Sequence, residues 1–291
     1  MTITSARPQS GAETPRRRTA PRRSRVLRIV GGLLVALTVG YLYVPPLVIA
    51  LFSFSDRTVQ TLPLGDLTLQ WYEALVRDRP MLDAVQYSLQ VTGTAIAVSL
   101  ALGTLFAVLL WRNLKGAEVF NVLLALPLLL PGMVLGVSMT LTFRFIGLKP
   151  GFLPLVITHA VYLVPIVVFV VGQRLATLDP ALIQASHDLG ATSVKTFVRV
   201  ILPLIGSALA ASALLCFTIS FDELPASFFV AGFDPTLPIY VWTLLRRGFT
   251  PSVNAVFTLL AITSILLLAI GAFMYFGRGK WNILRRNRTR R

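Results

Sequence analysis

The sequence predicts an all-α, polytopic membrane protein with six transmembrane helices. Three observations predict it. Six stretches lack Asp, Glu, Lys and Arg, at 29–55, 84–111, 119–143, 150–173, 200–221 and 248–277. Each is wide enough for the ~20 helical residues that cross a ~30 Å hydrocarbon core. Lipid offers backbone groups no hydrogen-bond partners, so a span is a helix or a strand of a closed barrel, and the alternation of a membrane barrel is absent. Finally, the basic residues are sorted along the chain as topology signals.

That sorting accounts for the net charge of +15. Eight arginines precede the first span and seven basic residues follow the last. Two more lie between spans 2 and 3, and three between spans 4 and 5. With both termini in the cytoplasm, the inside carries 20 of the 27 Lys and Arg. This is the positive-inside bias, and an even number of spans agrees with it. The tails are therefore read as solvated topology signals in contact with anionic lipid, not as a nucleic-acid surface.

Residues 1–25, rich in Arg, Pro, Ser and Thr, read as a disordered basic cytoplasmic tail. Arg22-Arg23 ahead of an apolar run resembles an export signal. The run is too long for one and lacks a small-residue cleavage site, so an uncleaved anchor is expected. The spans are placed at about 29–54, 85–111, 119–143, 152–172, 200–221 and 252–276, within a membrane domain covering 26–277. A second basic tail, 278–291, follows. In the loop after span 1, Trp71, Tyr72, Leu75 and Val76 share a helical face, which predicts an interfacial helix. In span 3, Pro127 and Pro131 each remove a donor and bend the helix, while Gly132 and Gly136 admit a close neighbour. Span 4 holds His159, the only ionisable side chain well inside a span, expected to hydrogen-bond between helices. Cys216, the single cysteine, lies in span 5 and excludes an internal disulfide.

Between spans 4 and 5 the sequence turns soluble. Asp179-Pro180 is a cap followed by a first-turn proline, and Gly190 suits a left-handed helix end. Leu182, Ile183, Ser186 and Leu189 form the less polar stripe of this first helix. Thr192 or Ser193 caps a second, where Val194, Phe197, Val198 and Ile201 recur at i, i+3, i+4, i+7. Two short amphipathic helices joined at a glycine, with an exposed apolar stripe, ask for a groove in a partner.

Here the residues meet a family pattern. Gln184-Ala185-Ser186, three residues, Gly190, nine residues and then Val200-Ile201-Leu202-Pro203 match the spacing of the E-A-A, G, I-x-L-P signature. That signature marks permeases of binding-protein-dependent (type I) ABC importers. Gln replaces the leading Glu, Ser the second Ala and Val the Ile. Over roughly 27–277 the chain resembles this family. "LTLQWYEAL", "LPLLLPGMVLG" and "SFDELPASFFVAG" are similar to segments of its polyamine branch, nearest the second permease subunit of spermidine/putrescine transporters. The resemblance implies the type I importer permease fold, in a bacterial cytoplasmic (inner) membrane. It implies a sister permease in a heterodimer, two ATPase subunits and an extracytoplasmic substrate-binding protein. The loop 178–199 becomes an ATPase-coupling element carried by Leu182, Ile183, Gln184, Ala185, Ser186, Asp188, Gly190, Phe197, Leu202 and Pro203. No cofactor is expected on this chain; ATP and Mg belong to the partner ATPase.

For the substrate path the candidates are Asp222 and Glu223, adjacent carboxylates just past span 5, with Phe228 and Phe229 offering aromatic faces to an ammonium group. The alternative is that the pair simply ends a span. No phosphate-binding glycine loop, H-E-x-x-H helix or nucleophile motif is present, so no catalysis is expected of this chain, and no metal site. The expected function is passage of a small polar solute, with a polyamine favoured. Iron, sulfate or aminophosphonate permeases are built alike. A six-span secondary carrier is disfavoured, because such carriers place carboxylates mid-membrane. A membrane scaffold docked through its basic tails is the third reading.

Overall fold

The structure, a computed structural model, describes residues 22–112, 116–248, 250–266 and 269. Twelve helices occur among them. Helix α1 (Arg22–Phe52) is apolar and largely exposed over Leu27–Phe52, as suits a helix whose solvent is lipid. It begins at Arg22, so the last residues of the predicted tail are helical. Residues 1–21 and 270–291 hold the rest of both tails and the end of the predicted sixth span; they lie outside the described residues.

The remaining helices from Ile49 onward form one unit. Helices α2 (Gln70–Arg77) and α3 (Arg79–Trp111) come first. Helices α4 (Ala117–Leu129) and α5 (Gly132–Phe145) follow, then α6 (Phe152–Ala176) and α7 (Pro180–Asp188). Helix α8 (Ser193–Thr196) passes through a π-turn at Phe197–Ile201 into α9 (Leu202–Phe221). Short α10 (Ser227–Val230), α11 (Leu237–Arg247) and α12 (Pro251–Leu266) complete the set. The core is built on α6, which packs against α3 and α9; Leu155, Leu163, Val167, Val171 and Leu175 on it are fully buried.

Three findings refine the sequence expectations. The third span is not one kinked helix. Helices α4 and α5 meet at 107°. Leu130, held in extended backbone at ψ 133° because a proline follows, ends α4, and Pro131 cannot donate the bond that would continue it. The second coupling helix is not a separate short element. It is continuous with span 5 over Ser193–Phe221. Pro203 lacks an N–H and its ring crowds the carbonyl of Arg199, and the chain relieves this by widening one turn: the Leu202 N–H bonds the Phe197 carbonyl.

The third refinement concerns α2. Instead of presenting its aromatic face as a free interfacial helix, it docks that face onto the chain. The Trp71 indole N–H donates to the Ser55 carbonyl at 2.7 Å. The Tyr72 hydroxyl meets Ser53 Oγ at 2.5 Å. Both rings pack on a cluster of Leu75, Met81, Leu237, Val241 and Val256. Val76, assigned to the same face, is 71% exposed. Asp78 ties this region together, capping α3 at Met81 N and accepting from the Tyr240 hydroxyl of α11 at 2.7 Å.

Candidate functional site

Helix α7 starts where Asp179 Oδ1 accepts from the Ala181 N–H at 2.9 Å, with Pro180 in the first helical position. It ends in a Schellman turn. Gly190 N–H donates to the His187 carbonyl at 2.8 Å and Ala191 N–H to the Ser186 carbonyl at 3.1 Å. The turn needs φ +77° at Gly190, in the left-handed region that glycine enters without a Cβ penalty. Thr192 then caps α8 through Lys195 N. Ser186 Oγ and Thr196 Oγ1, 2.9 Å apart, tie the two helices face to face. Arg174, on the last turn of α6, donates to the Leu204 carbonyl at 3.1 Å and anchors the start of α9.

The ten coupling candidates divide accordingly. Ser186, Ile183, Phe197 and Leu202 are half-buried and face the bundle, and Gly190 forms the turn. Leu182, Gln184, Ala185 and Asp188 are exposed on α7, and Pro203 is exposed at the start of α9. Leu189 and Val194, 89% and 72% exposed, extend that open face. The predicted stripe of the second helix therefore splits. Phe197 and buried Ile201 pack inward, whereas Val194 and Val198 point out. A continuous helix reaching into the core must turn half its apolar residues toward α3 and α6.

At the other end of α9, the carboxylates part company. Glu223 Oε1 accepts from the Ala226 N–H at 2.6 Å and so shapes the turn into α10. Burial raises its carboxyl above the usual range; the Ala226 bond opposes this and the Asp222 charge adds to it. Asp222 is more exposed and lines a cavity of about 270 Å³ with Phe221, Trp242 and Phe257. Desolvation raises its carboxyl also. Phe228 is 49% exposed, and its ring meets Phe229 edge-on at 5.7 Å. Phe229 turns toward α5. A Cβ built on Gly136 would lie 2.8 Å from Ala226 Cα and 3.0 Å from Phe229 Cδ2, so only glycine lets α5 approach this closely. Thr140 Oγ1 donates to the Phe229 carbonyl at 2.9 Å and locks the same contact.

Beneath them lies a polar network that sequence reasoning reached only through His159. Its Nδ1 is 2.6 Å from Ser220 Oγ and its Nε2 2.8 Å from Ser227 Oγ. Ser220 Oγ donates onward to Thr92 Oγ1 at 3.2 Å. A hydroxyl that donates to Thr92 must accept from the imidazole, so Nδ1 carries the proton and Nε2 accepts from Ser227. The histidine thus joins α3, α6, α9 and α10. Ser220 and Ser227 flank the carboxylates, and polar residues inside apolar stretches were the signal for them. Among the described residues no group of three or more His, Cys, Asp or Glu is placed to hold a metal ion.

Residues 99–277 match the family model described as "Binding-protein-dependent transport system inner membrane component". The chain is 30% identical over 260 residues to the spermidine/putrescine transport system permease protein PotC of Escherichia coli (strain K12), covering 89% of this chain and 97% of that protein. It is 35% identical over 229 residues to the putrescine transport system permease protein PotI of the same strain, covering 76% and 81%. In fold it resembles a chain of a bacterial ABC transporter that imports alginate, with TM-score 0.69 and 18% identity, covering 86% of this chain and 97% of that one. It also resembles a chain of the inward-facing MetNI methionine ABC transporter, with TM-score 0.57 and 19% identity, covering 72% and 97%.

Proposed function

Since the chain belongs to the binding-protein-dependent transport-system inner-membrane family, we propose that it is the membrane-spanning permease subunit of an ATP-driven importer whose solute is a polyamine. The observation that carries this reading is the hydrogen-bonded 178–199 loop. Its exposed α7 face sets Leu182, Ala185 and Leu189 beside Gln184 and Asp188, and its orientation is fixed by the Gly190 turn and the Ser186–Thr196 contact. Such a face suits the groove of an ATPase. The chain offers no phosphate-binding loop, so ATP and Mg are handled by that partner, and this subunit is not itself catalytic.

The physical route for coupling is the helix that starts in the loop. Ser193–Phe221 runs without interruption for 29 residues, about 43 Å at 1.5 Å per residue. A tilt imposed at Val194 is delivered to Asp222 and, through Ser220 and His159, to α6, α3 and α10. Asp222 and Glu223 then form the carboxylate part of the cation's path. An opposite charge at ~4 Å is worth about 4 kcal/mol at an effective dielectric near 20, which offsets part of the desolvation of one ammonium group. Both termini lie in the bacterial cytoplasm, a sister permease completes the path, two ATPases engage the loops, and an extracytoplasmic binding protein delivers the solute.

The test is reconstitution. The chain, co-expressed with a sister permease and an ATPase, is placed in proteoliposomes with a substrate-binding protein. Uptake of spermidine or putrescine that requires internal ATP supports the reading. A binding protein that captures iron, sulfate or an aminophosphonate moves the solute to that class. Transport sustained by an ion gradient without an ATPase removes the importer reading.

A further inference from the structure

A cavity of about 630 Å³ opens between the last third of α3, α7 and the α8–α9 junction. Its walls include Leu105, Val108, Ile183, Phe197 and Leu209, nearly all apolar. Few polar groups break that lining: Thr104 on α3 and Arg112 at its C-cap on one side, and His187, Ser193 and Thr196 on the loop side. Thr104 is 7% exposed, and its hydroxyl is buried with no partner. Ser99 and Thr158 share that state, whereas Thr94, Ser212 and Thr258 return their hydroxyls to the carbonyl four residues back. At the loop end of the cavity stands Arg112, exposed, with no hydrogen-bond or ion-pair partner for its guanidinium among the described residues. Water is a poor filling, because about twenty molecules at ~30 Å³ each would face walls with few partners.

We infer that this cavity is a binding site for an anionic phospholipid, with an acyl chain between α3 and the α8–α9 junction and the phosphate on Arg112. Charge and position select this occupant. The cavity lies at the end of the spans that holds the coupling loop, which the proposed topology puts at the cytoplasmic leaflet. That leaflet carries the anionic headgroups, and a basic residue beside an apolar crevice between helices is the arrangement that captures them. Ile183, Phe197 and Leu202, all candidate coupling residues, line the same cavity, so the lipid would brace the loop from behind while its exposed face meets the ATPase. The site rests on the proposed topology for its leaflet but not on the identity of the solute.

Trp111 also lines the cavity and serves as the reporter. The full chain carrying Trp71→Phe, Trp242→Phe and Trp281→Phe keeps it as the sole tryptophan. In nanodiscs of mixed phosphatidylglycerol and phosphatidylcholine, one lipid at a time bears brominated acyl chains. Brominated phosphatidylglycerol should quench Trp111 at about fivefold lower mole fraction than brominated phosphatidylcholine, the preference expected of one interfacial cation. Arg112→Gln should erase the preference and Arg112→Lys retain it. The unmutated chain, purified in mild detergent, should also carry phosphatidylglycerol above its share of the membrane by mass spectrometry. Equal quenching by both lipids, or a preference surviving in Arg112→Gln, would overturn the site. Quenching by neither would show that protein covers the cavity, and would also overturn it. None of these outcomes bears on whether the solute is a polyamine.

Discussion

Replacing Gly190 by alanine, valine or asparagine isolates the backbone requirement of the turn between α7 and α8. Nothing lies within 4 Å of where a Cβ would stand, so the cost is conformational and not steric. Holding an L residue in the left-handed region costs roughly 1–2 kcal/mol, with asparagine tolerated better. At 1.4 kcal/mol per tenfold, the closed turn becomes about 5–30-fold less favoured relative to open ones. Opening also breaks the Gly190–His187 and Ala191–Ser186 bonds and leaves the Ser186–Thr196 contact to tether the helices. Helix α7 then no longer presents Leu182 and Leu189 in one direction. The assay has two readouts, ATPase retained by the tagged chain in mild detergent and ATP-dependent uptake in proteoliposomes, with membrane-fraction yield as the control for insertion. The expected order is glycine, asparagine, alanine, valine in both, at constant yield. Valine equal to asparagine, or full ATPase retention by valine, would refute the claim that the left-handed turn aims the docking face.

Further outcomes follow from other contacts. Leu182→Asp should reduce ATPase retention sharply, because it buries a carboxylate in an apolar contact; Phe197→Asp should do so through collapse of the inward face, visible as a lower thermal midpoint as well. Gly136→Ala should destabilise by about 1–3 kcal/mol, since overpacking must move Ala226 backbone that lies 2.8 Å from the new carbon, read as lost thermal stability in detergent. Asp222→Asn with Glu223→Gln should depress polyamine uptake while complex assembly persists; wild-type uptake would make the pair a span terminator. Both carboxyls are raised and the ionised forms attract the cation, so uptake should decline on acidification at a higher pH than ordinary carboxylates would give. The Tyr240 hydroxyl, pushed up to about 12 mainly by burial and then by Asp78, stabilises the protein only while protonated. Its share is complete below its ordinary 10.0 and lost toward 12, and Tyr240→Phe should flatten thermal stability across that window.

The sequence by itself determined the all-α membrane class, because a hydrocarbon solvent leaves a long uncharged run no other way to satisfy its backbone. It also determined the α7 cap and turn, since Asp179, Pro180, Gly190 and Thr192 act within a few residues of themselves. Local rules were enough to find His159 and the carboxylate pair, each conspicuous by its charge or polarity. What only the tertiary structure decided depends on residues distant in sequence. The size of the bend at Pro131, 107°, and the seating of Gly132 and Gly136 against Pro225 and Ala226 were visible only in the fold. Periodicity placed Trp71, Tyr72 and Val76 on one face. It did not foresee that Ser53 and Ser55 would draw two of them inward and leave the third exposed. Ser220 and Ser227 drew no notice as serines until folding set them 2.6 and 2.8 Å from one imidazole. The division has one physical reason. Caps, turns and span lengths are satisfied by neighbours along the chain, whereas a helix chooses its buried face, and a polar side chain its partner, from whatever the rest of the fold presents.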